Sequence, residues 1–114
     1  RLMIVTNGGG AGVLAADELQ DAGGELAPLT TQLEAKLNEV LPLAWSHTNP
    51  IDIIGDAGPQ RYRATLSQVM ENEAADAILA MQCPTALASS IENAAATLDV
   101  WRSKANGNPE KKPL

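Results

Sequence analysis

Four short apolar runs, each followed by a stretch of helical periodicity, constrain this chain more than any other feature. Leu2–Thr6 reads as a strand, apolar and β-branched enough for the centre of a sheet. A helix is predicted from about Ala11 to Ala22, with Ala15, Ala16, Leu19 and Ala22 on one face and Gly23-Gly24 ending it. Glu25–Leu29 predicts a short second strand. Thr31 and Glu34 have the capping-box spacing, and Leu33, Leu37, Val40 and Leu41 follow at helical period until Pro42 stops the pattern. Residues 42–50 read as a loop, Ile51–Ile54 as a third strand closed by Gly55, and Pro59 as the first residue of the next helix. Tyr62, Leu66, Val69 and Met70 form that helix's buried stripe, and Ala77–Met81 reads as a fourth strand. Ser89 with Glu92 makes a second capping box. Ile91, Ala94, Ala95, Leu98 and Trp101 continue as a helical face, with Trp101 expected to pack on the sheet. Asn106–Pro109 reads as a turn, and Lys112–Leu114 as the start of a fifth strand.

This alternation predicts an α/β fold with a parallel sheet covered on both faces. Ligands in such sheets sit at the carboxyl ends of the strands. The loops there are 7–12, 30–31, 55–58 and 82–89. A chain of 114 residues can bury one core. That core must be aliphatic and alanine-rich, because the aromatic residues are only Trp45, Tyr62 and Trp101.

The formal net charge is −6, and the basic residues cluster only at Lys111-Lys112, which argues against nucleic acid or an anionic membrane surface as partner. No apolar run approaches membrane-spanning length, and no signal peptide is expected. Cys83 is the lone cysteine, so no disulfide framework is expected and the expected localisation is cytoplasmic. His47 is the lone histidine, and no metal site is expected. The chain starts at Arg1 directly against a strand and stops where a fifth strand should begin. It is therefore expected to be a piece excised from a longer polypeptide, with its sheet truncated at the last strand.

Gly8, Gly9, Gly10 and Gly12 fall where the first strand turns into the first helix. A helix start exposes unpaired N–H groups and the positive end of the helix dipole, and glycines let that backbone approach a ligand closely. Together these features make an anion site. The acids of this helix, Asp17, Glu18 and Asp21, come after its first turn. The stretch is neither a P-loop nor a dinucleotide fingerprint, since no Lys-Ser/Thr follows and Val13 stands where the third glycine would be. On spacing alone, an anion site and a tight connection without ligand are equally supported.

Three segments, RLMIVTNGGGAGVLAADEL, NPIDIIGDAGPQRY and DAILAMQCPTALA, resemble in order the NDP-forming acyl-CoA synthetases. These form the acetate–CoA ligase (ADP-forming) branch of the succinyl-CoA synthetase superfamily. The resemblance implies that residues 1–114 are a flavodoxin-like CoA-ligase domain, a three-layer sandwich with a mainly parallel sheet. It implies a part in interconverting acyl-CoA + phosphate + NDP with acid + CoA + NTP, through a phosphohistidine in another domain. It places Gly8, Gly9, Gly10, Ala11, Gly12 and Val13 at the phosphate, and Asn7, Cys83, Pro84 and Thr85 at the acyl substrate. The glycine pair of the succinate enzymes is missing after Cys83, so a smaller or less polar acid is implied. No catalytic residue is assigned to this fragment, and no cofactor is expected on it. The parent is expected to use CoA, ADP/ATP and Mg. The implied partners are the parent's phosphohistidine and ATP-grasp domains, with phosphate or acyl phosphate as ligand. The alternative implied by resemblance is a synthetase-like regulatory domain of a GNAT-type protein lysine acetyltransferase.

The remaining candidates carry plainer readings. Asn49 and Asp52 are candidates for ligand contact or for bonding loop backbone, and the second reading carries more weight. Cys83 reads as a small packed hydrophobe with no base near it in sequence. Ser46-His47-Thr48 echoes the family's phosphohistidine loop but is followed by Asn49-Pro50 rather than Gly, so His47 reads as a solvated side chain.

Overall fold

A computed structural model of the chain describes residues 1–105 and 112–114. The Asn106–Pro109 turn expected from the sequence lies outside these residues. The elements follow in the order β1 (Leu2–Thr6), α1 (Gly9–Asp21), α2 (Thr31–Val40), β2 (Ile51–Asp52), α3 (Pro59–Glu71), β3 (Ala77–Met81) and α4 (Ser90–Ala105). The strands form a parallel sheet in the order β2-β1-β3. Central β1 explains its own composition: Met3, Ile4, Val5 and Thr6 are all 0% exposed. Met3 and Val5 join a core with Leu33 and Leu37 of α2, Tyr62, Leu66 and Val69 of α3, Ile78 of β3 and Val100 of α4. Thr6 points to the other face, where a Cβ on Gly12 of α1 would lie 2.9 Å from its methyl group. Three layers result, with α1 on one face of the sheet and the other helices on the opposite face. The expected α/β sandwich is what the chain adopts.

Two expected strands are shorter than predicted, for one physical reason. Glu25–Leu29 contributes a single parallel bridge, Leu26 to Leu2. Leu2 N–H donates to Glu25 O and Ala27 N–H to Leu2 O, both at 2.8 Å. The run expected as Ile51–Ile54 is a strand only over Ile51–Asp52. Between these two half-strands, the Asn49 side chain takes the place of a ladder. Its Oδ1 accepts from Ile4 N–H at 3.0 Å, and its Nδ2 donates to Leu2 O and Ala27 O, each at 2.9 Å. Ser46 does the same on the far side of β2, where its Oγ accepts from Asp52 N–H at 2.9 Å and donates to Pro50 O at 2.7 Å. Buried backbone groups need partners, and side chains supply them here. The Asn49-Pro50 peptide is cis.

The helices differ from expectation in their caps and in one face. α1 begins at Gly9, two residues before the expected Ala11, with extended Gly8 as its N-cap. α2 is capped by Thr30 rather than Thr31: Thr30 Oγ1 accepts from Leu33 N–H at 3.2 Å. α3 has Pro59 in its first turn and buries Tyr62, Leu66 and Val69 as expected. The Ser89 hydroxyl accepts from Glu92 N–H at 3.3 Å, as its capping-box spacing predicts. However, α4 buries Asn93, Ala96 and Val100, and leaves Ile91 83% exposed. Its predicted apolar stripe therefore faces outward, because Asn93 is held inside by polar partners described below. Trp101 is half-buried, with its Nε1 donating to Lys112 O at 3.3 Å. Lys112 Nζ donates to Met70 O and Asn72 O at the end of α3, where a cation suits the helix dipole. Partial burial there pushes its pKa below the ordinary lysine value. The expected fifth strand gives one sheet-like bond among the described residues, Ile78 N–H to Pro113 O at 3.0 Å.

Candidate functional site

The site is built at the carboxyl ends of β1, β2 and β3. Thr6, the last residue of β1, makes the tight turn. Its Oγ1 accepts from Gly8 N–H at 3.0 Å and lies 3.2 Å from Gly8 O, to which it donates. Gly12 N–H donates to Gly8 O at 3.1 Å, closing the first turn of α1. The amides ahead of it, on Gly9, Gly10 and Ala11, have no capping side chain, and the first turn carries no acid. Of the residues expected at the phosphate, then, Gly9, Gly10 and Ala11 keep free amides. Gly8 and Gly12 spend theirs within the turn. Val13 is past the helix start, where helix geometry turns its N–H back onto Gly9.

The four glycines have different reasons to be there. A Cβ on Gly8 would meet Cys83 Sγ at 2.6 Å, and one on Gly9 would meet Asp52 Oδ2 at 2.7 Å. A Cβ on Gly12 would lie 2.9 Å from the Thr6 methyl and 3.1 Å from Pro50 Cβ. These three pack the turn closely on Thr6 of β1, on Asp52 of β2, and on Pro50 and Cys83 in the loops before β2 and after β3. A Cβ on Gly10 would meet nothing within 4 Å. The open side of the helix start is therefore the Gly10 side.

Asn7 lies under the turn and is 3% exposed. Its side-chain amide clamps one peptide of the neighbouring loop: Cys83 N–H donates to Asn7 Oδ1 at 2.7 Å, and Asn7 Nδ2 donates to Cys83 O at 2.9 Å. Both ends of the amide are engaged by backbone. Pro84 is exposed, and Thr85 pairs with Ala88 in an antiparallel bridge that folds the loop back on itself.

Asp52 bonds loop backbone, whereas Asn49 bonds the backbone of β1 and of Ala27. Asp52 Oδ1 accepts from Ile54 N–H at 2.9 Å, leaving Oδ2 against Gly9. Ile54 has φ 71, a left-handed conformation that a β-branched residue seldom adopts. Arg61, on the first turn of α3, holds the same loop from the other side, donating from Nη1 to Ile53 O at 2.9 Å and to Asp56 Oδ1 at 2.5 Å. That guanidinium holds the Asp56 carboxyl below the usual carboxylate range. Tyr62 donates its hydroxyl to Met81 O at 2.8 Å. Burial pushes its phenol well above the ordinary tyrosine range, and nearby Cys83 and Asp52 add to the shift.

Sequence reasoning did not single out Arg61, Gln82 or Asn93. Amides and guanidinium groups read as surface residues unless their partners are known. His47 stands apart from the turn. Its ring centroid lies 4.4 Å from that of Trp45, and its Nε2 donates to Leu43 O at 3.0 Å. A cleft of about 470 Å³ between α2 and α3, lined by Thr30, Leu33, Lys36, Gln68 and Glu71 among others, shares no residue with the turn. Among the described residues no group of three or more His, Cys, Asp or Glu could hold a metal ion. No helix among them is long and apolar enough to cross a membrane.

Known proteins resemble this chain along most of its length. The Ligase-CoA domain family matches residues 2–109. Acetate–CoA ligase (ADP-forming) I of Archaeoglobus fulgidus is 41% identical over 85 residues, 75% of this chain and 12% of that protein. The subunit alpha of acetate–CoA ligase (ADP-forming) I from Pyrococcus furiosus is 29% identical over 113 residues, 99% of this chain and 23% of the relative. Among solved structures, the dinucleotide-forming acetyl-coenzyme A synthetase 1 of Ca. Korarchaeum cryptofilum, in complex with phosphate and ADP, superposes with a TM-score of 0.85 at 32% identity. That match covers 96% of this chain and 26% of the other. The chain thus spans between about an eighth and a quarter of the relatives it resembles.

Proposed function

The chain belongs to the Ligase-CoA domain family, and from that premise we propose that it is one domain of an ADP-forming acyl-CoA synthetase. In this reading residues 1–114 hold a phosphoryl group while the larger enzyme interconverts acyl-CoA + phosphate + NDP with acid + CoA + NTP. CoA, the nucleotide, magnesium and the phosphohistidine belong to other domains of that enzyme, which is cytoplasmic. The names of the relatives, all CoA ligases, favour this reading over a regulatory domain of an acetyltransferase.

The observation that carries the proposal is the start of α1. Gly9, Gly10 and Ala11 present uncapped amides with no acid in the turn, and the space beside Gly10 is open. Fixed N–H dipoles aimed at a phosphoryl group stabilise its negative charge without reorganising. Asp52 Oδ2, lying against Gly9, repels an anion from the sheet side and directs it to the Gly10 side. The complex of the Korarchaeum synthetase with phosphate and ADP supports phosphate as the ligand class. Asn7, Cys83, Pro84 and Thr85 border the same end of the sheet and are assigned to the acyl group. Asn7 acts there through the Cys83 peptide, since its own amide is spent.

The test is Ala11→Asp. Ala11 lies within the first turn of α1 and is half-buried. A carboxylate there interacts favourably with the helix dipole, by about 0.3–1 kcal/mol, while filling or repelling the anion's place. The expected outcome is a variant as stable as the parent whose Gly9, Gly10 and Ala11-position amide resonances no longer shift on adding phosphate. Parent-like shifts in the variant would mean that the glycines serve only the turn.

A further inference from the structure

Cys83 O lies at the end of a line of side-chain amides that reaches α4. Asn93, 1% exposed on α4, donates from Nδ2 to Ala57 O at 3.1 Å and to Gln82 Oε1 at 2.7 Å. Gln82 in turn donates from Nε2 to Cys83 O at 2.8 Å. That carbonyl also accepts from Asn7 Nδ2, so both of its lone pairs are used. Each amide orientation is forced by the next. Ala57 O can only accept, so Asn93 must present Nδ2. Gln82 must then present Oε1 to Asn93, which leaves its Nε2 for Cys83.

From this chain of bonds we infer that Gln82 and Asn93 are positioning residues for the glycine turn. The inference rests on the anion-site reading only in its consequence for phosphate. The contact that transmits position is steric: Gly8, the N-cap of α1, has room for a single hydrogen before it meets Cys83 Sγ. Where the Cys83 peptide sits therefore decides where the start of α1 sits. The relay ties the Cys83 backbone to α4 and to the Ala57 loop, which the Ile53 N–H already links to Thr6 O at 2.8 Å. A hydrogen-bonded line of this kind acts as a unit, so its members are coupled rather than additive.

The experiment uses the 114-residue chain and two readouts. The first is the rate at which Cys83, the only thiol, reacts with an aromatic disulfide reagent. The second is the phosphate concentration dependence of the Gly9 and Gly10 amide resonances. Gln82→Met keeps the length of the side chain and removes both hydrogen bonds. Asn93→Asp removes the donor and keeps the shape.

Each single variant should speed the thiol reaction and weaken phosphate binding by about two- to tenfold, the range spanned by the net effect of one hydrogen bond. The double variant should change the thiol rate no further than Gln82→Met alone. If Asn93→Asp does not fold, Gln82→Ala and Gln82→Glu give the same test. Both lose the donor to Cys83 O, and both should match Gln82→Met in thiol rate. Parent-like thiol rates in a folded Gln82→Met chain, or fully additive effects in the double variant, would overturn the relay. A parent chain that shows no phosphate shift would overturn the anion reading instead, while the thiol rates would still judge the relay.

Discussion

Single side chains and single missing side chains set the geometry of the turn. Alanine substitution should separate its four glycines. Gly10→Ala adds a methyl to open space inside a helix and should stabilise the chain by about 0.5–1 kcal/mol. It should also blunt the phosphate response, because the methyl occupies the open side. Gly12→Ala drives a methyl against Thr6 and Pro50 and should cost about 1–3 kcal/mol. Gly8→Ala should behave like Gly12→Ala, whereas Gly9→Ala meets the end of a side chain and displaces the Asp52 carboxylate at smaller cost. Urea unfolding of the four variants gives the order directly, and equal effects at Gly10 and Gly12 would contradict it. From sequence the four look alike. Their difference lies in which neighbour each one meets, and those neighbours come from β1, β2 and the loops before β2 and after β3.

The element that most departs from a plain reading is the β2 side of β1. Hydrophobic patterning found β1 and β3 with their observed bounds, and α3 with its start at Pro59 and its buried stripe. It found two further strands that the structure keeps only in part. Asn49 and Ser46 read as loop residues, and nothing in their spacing shows that their polar groups stand in for ladder bonds. Asn93 misled in the same manner. A buried polar residue rotates α4 away from the face its apolar residues predict. Asn49→Ala tests the substitution of side chain for strand. It strips the partners from Ile4 N–H and Ala27 O, while Leu2 O keeps the Ala27 N–H, and leaving buried groups unpaired costs about 1–3 kcal/mol each. The expected outcome is a loss of at least about 2 kcal/mol in denaturant unfolding, the low end for two such groups. A loss under 1 kcal/mol, roughly that of an ordinary surface change, would mean that water replaces the amide. Asn49→Asp should be no better, since a carboxylate would face two carbonyl oxygens.

Across the whole molecule, one carboxylate ties three helices. Glu71 of α3 pairs with Lys104 of α4 and lies 3.7 Å from Lys36 of α2. Lys104 is the larger cause, and Lys36 the lesser, of a pKa held below the ordinary glutamate value. A depressed folded-state pKa contributes stability above the unfolded value, about 4.3, and loses it as pH falls through the lower folded value. Half-exposed pairs are weak, so Glu71→Gln should cost no more than about 1 kcal/mol at neutral pH. It should also flatten the fall of stability below pH 4, roughly the unfolded carboxyl value. Thermal melts from neutral to acid pH read both effects, and an unchanged acid limb would show that solvent screens the pair fully. Apart from such surface ties, the sheet itself is held by partners remote in sequence. Leu2 pairs with Ala77, and Val5 with Ile51. A ribosome making this chain delivers the central strand well before its full-length neighbour. Until β3 arrives, β1 is an apolar segment with one side unmatched, and the turn that follows it has no Cys83 to rest on. Closing such distant pairs is entropically slow. Assembly of the glycine turn is therefore a late event in folding, completed only when β1 and β3 have met.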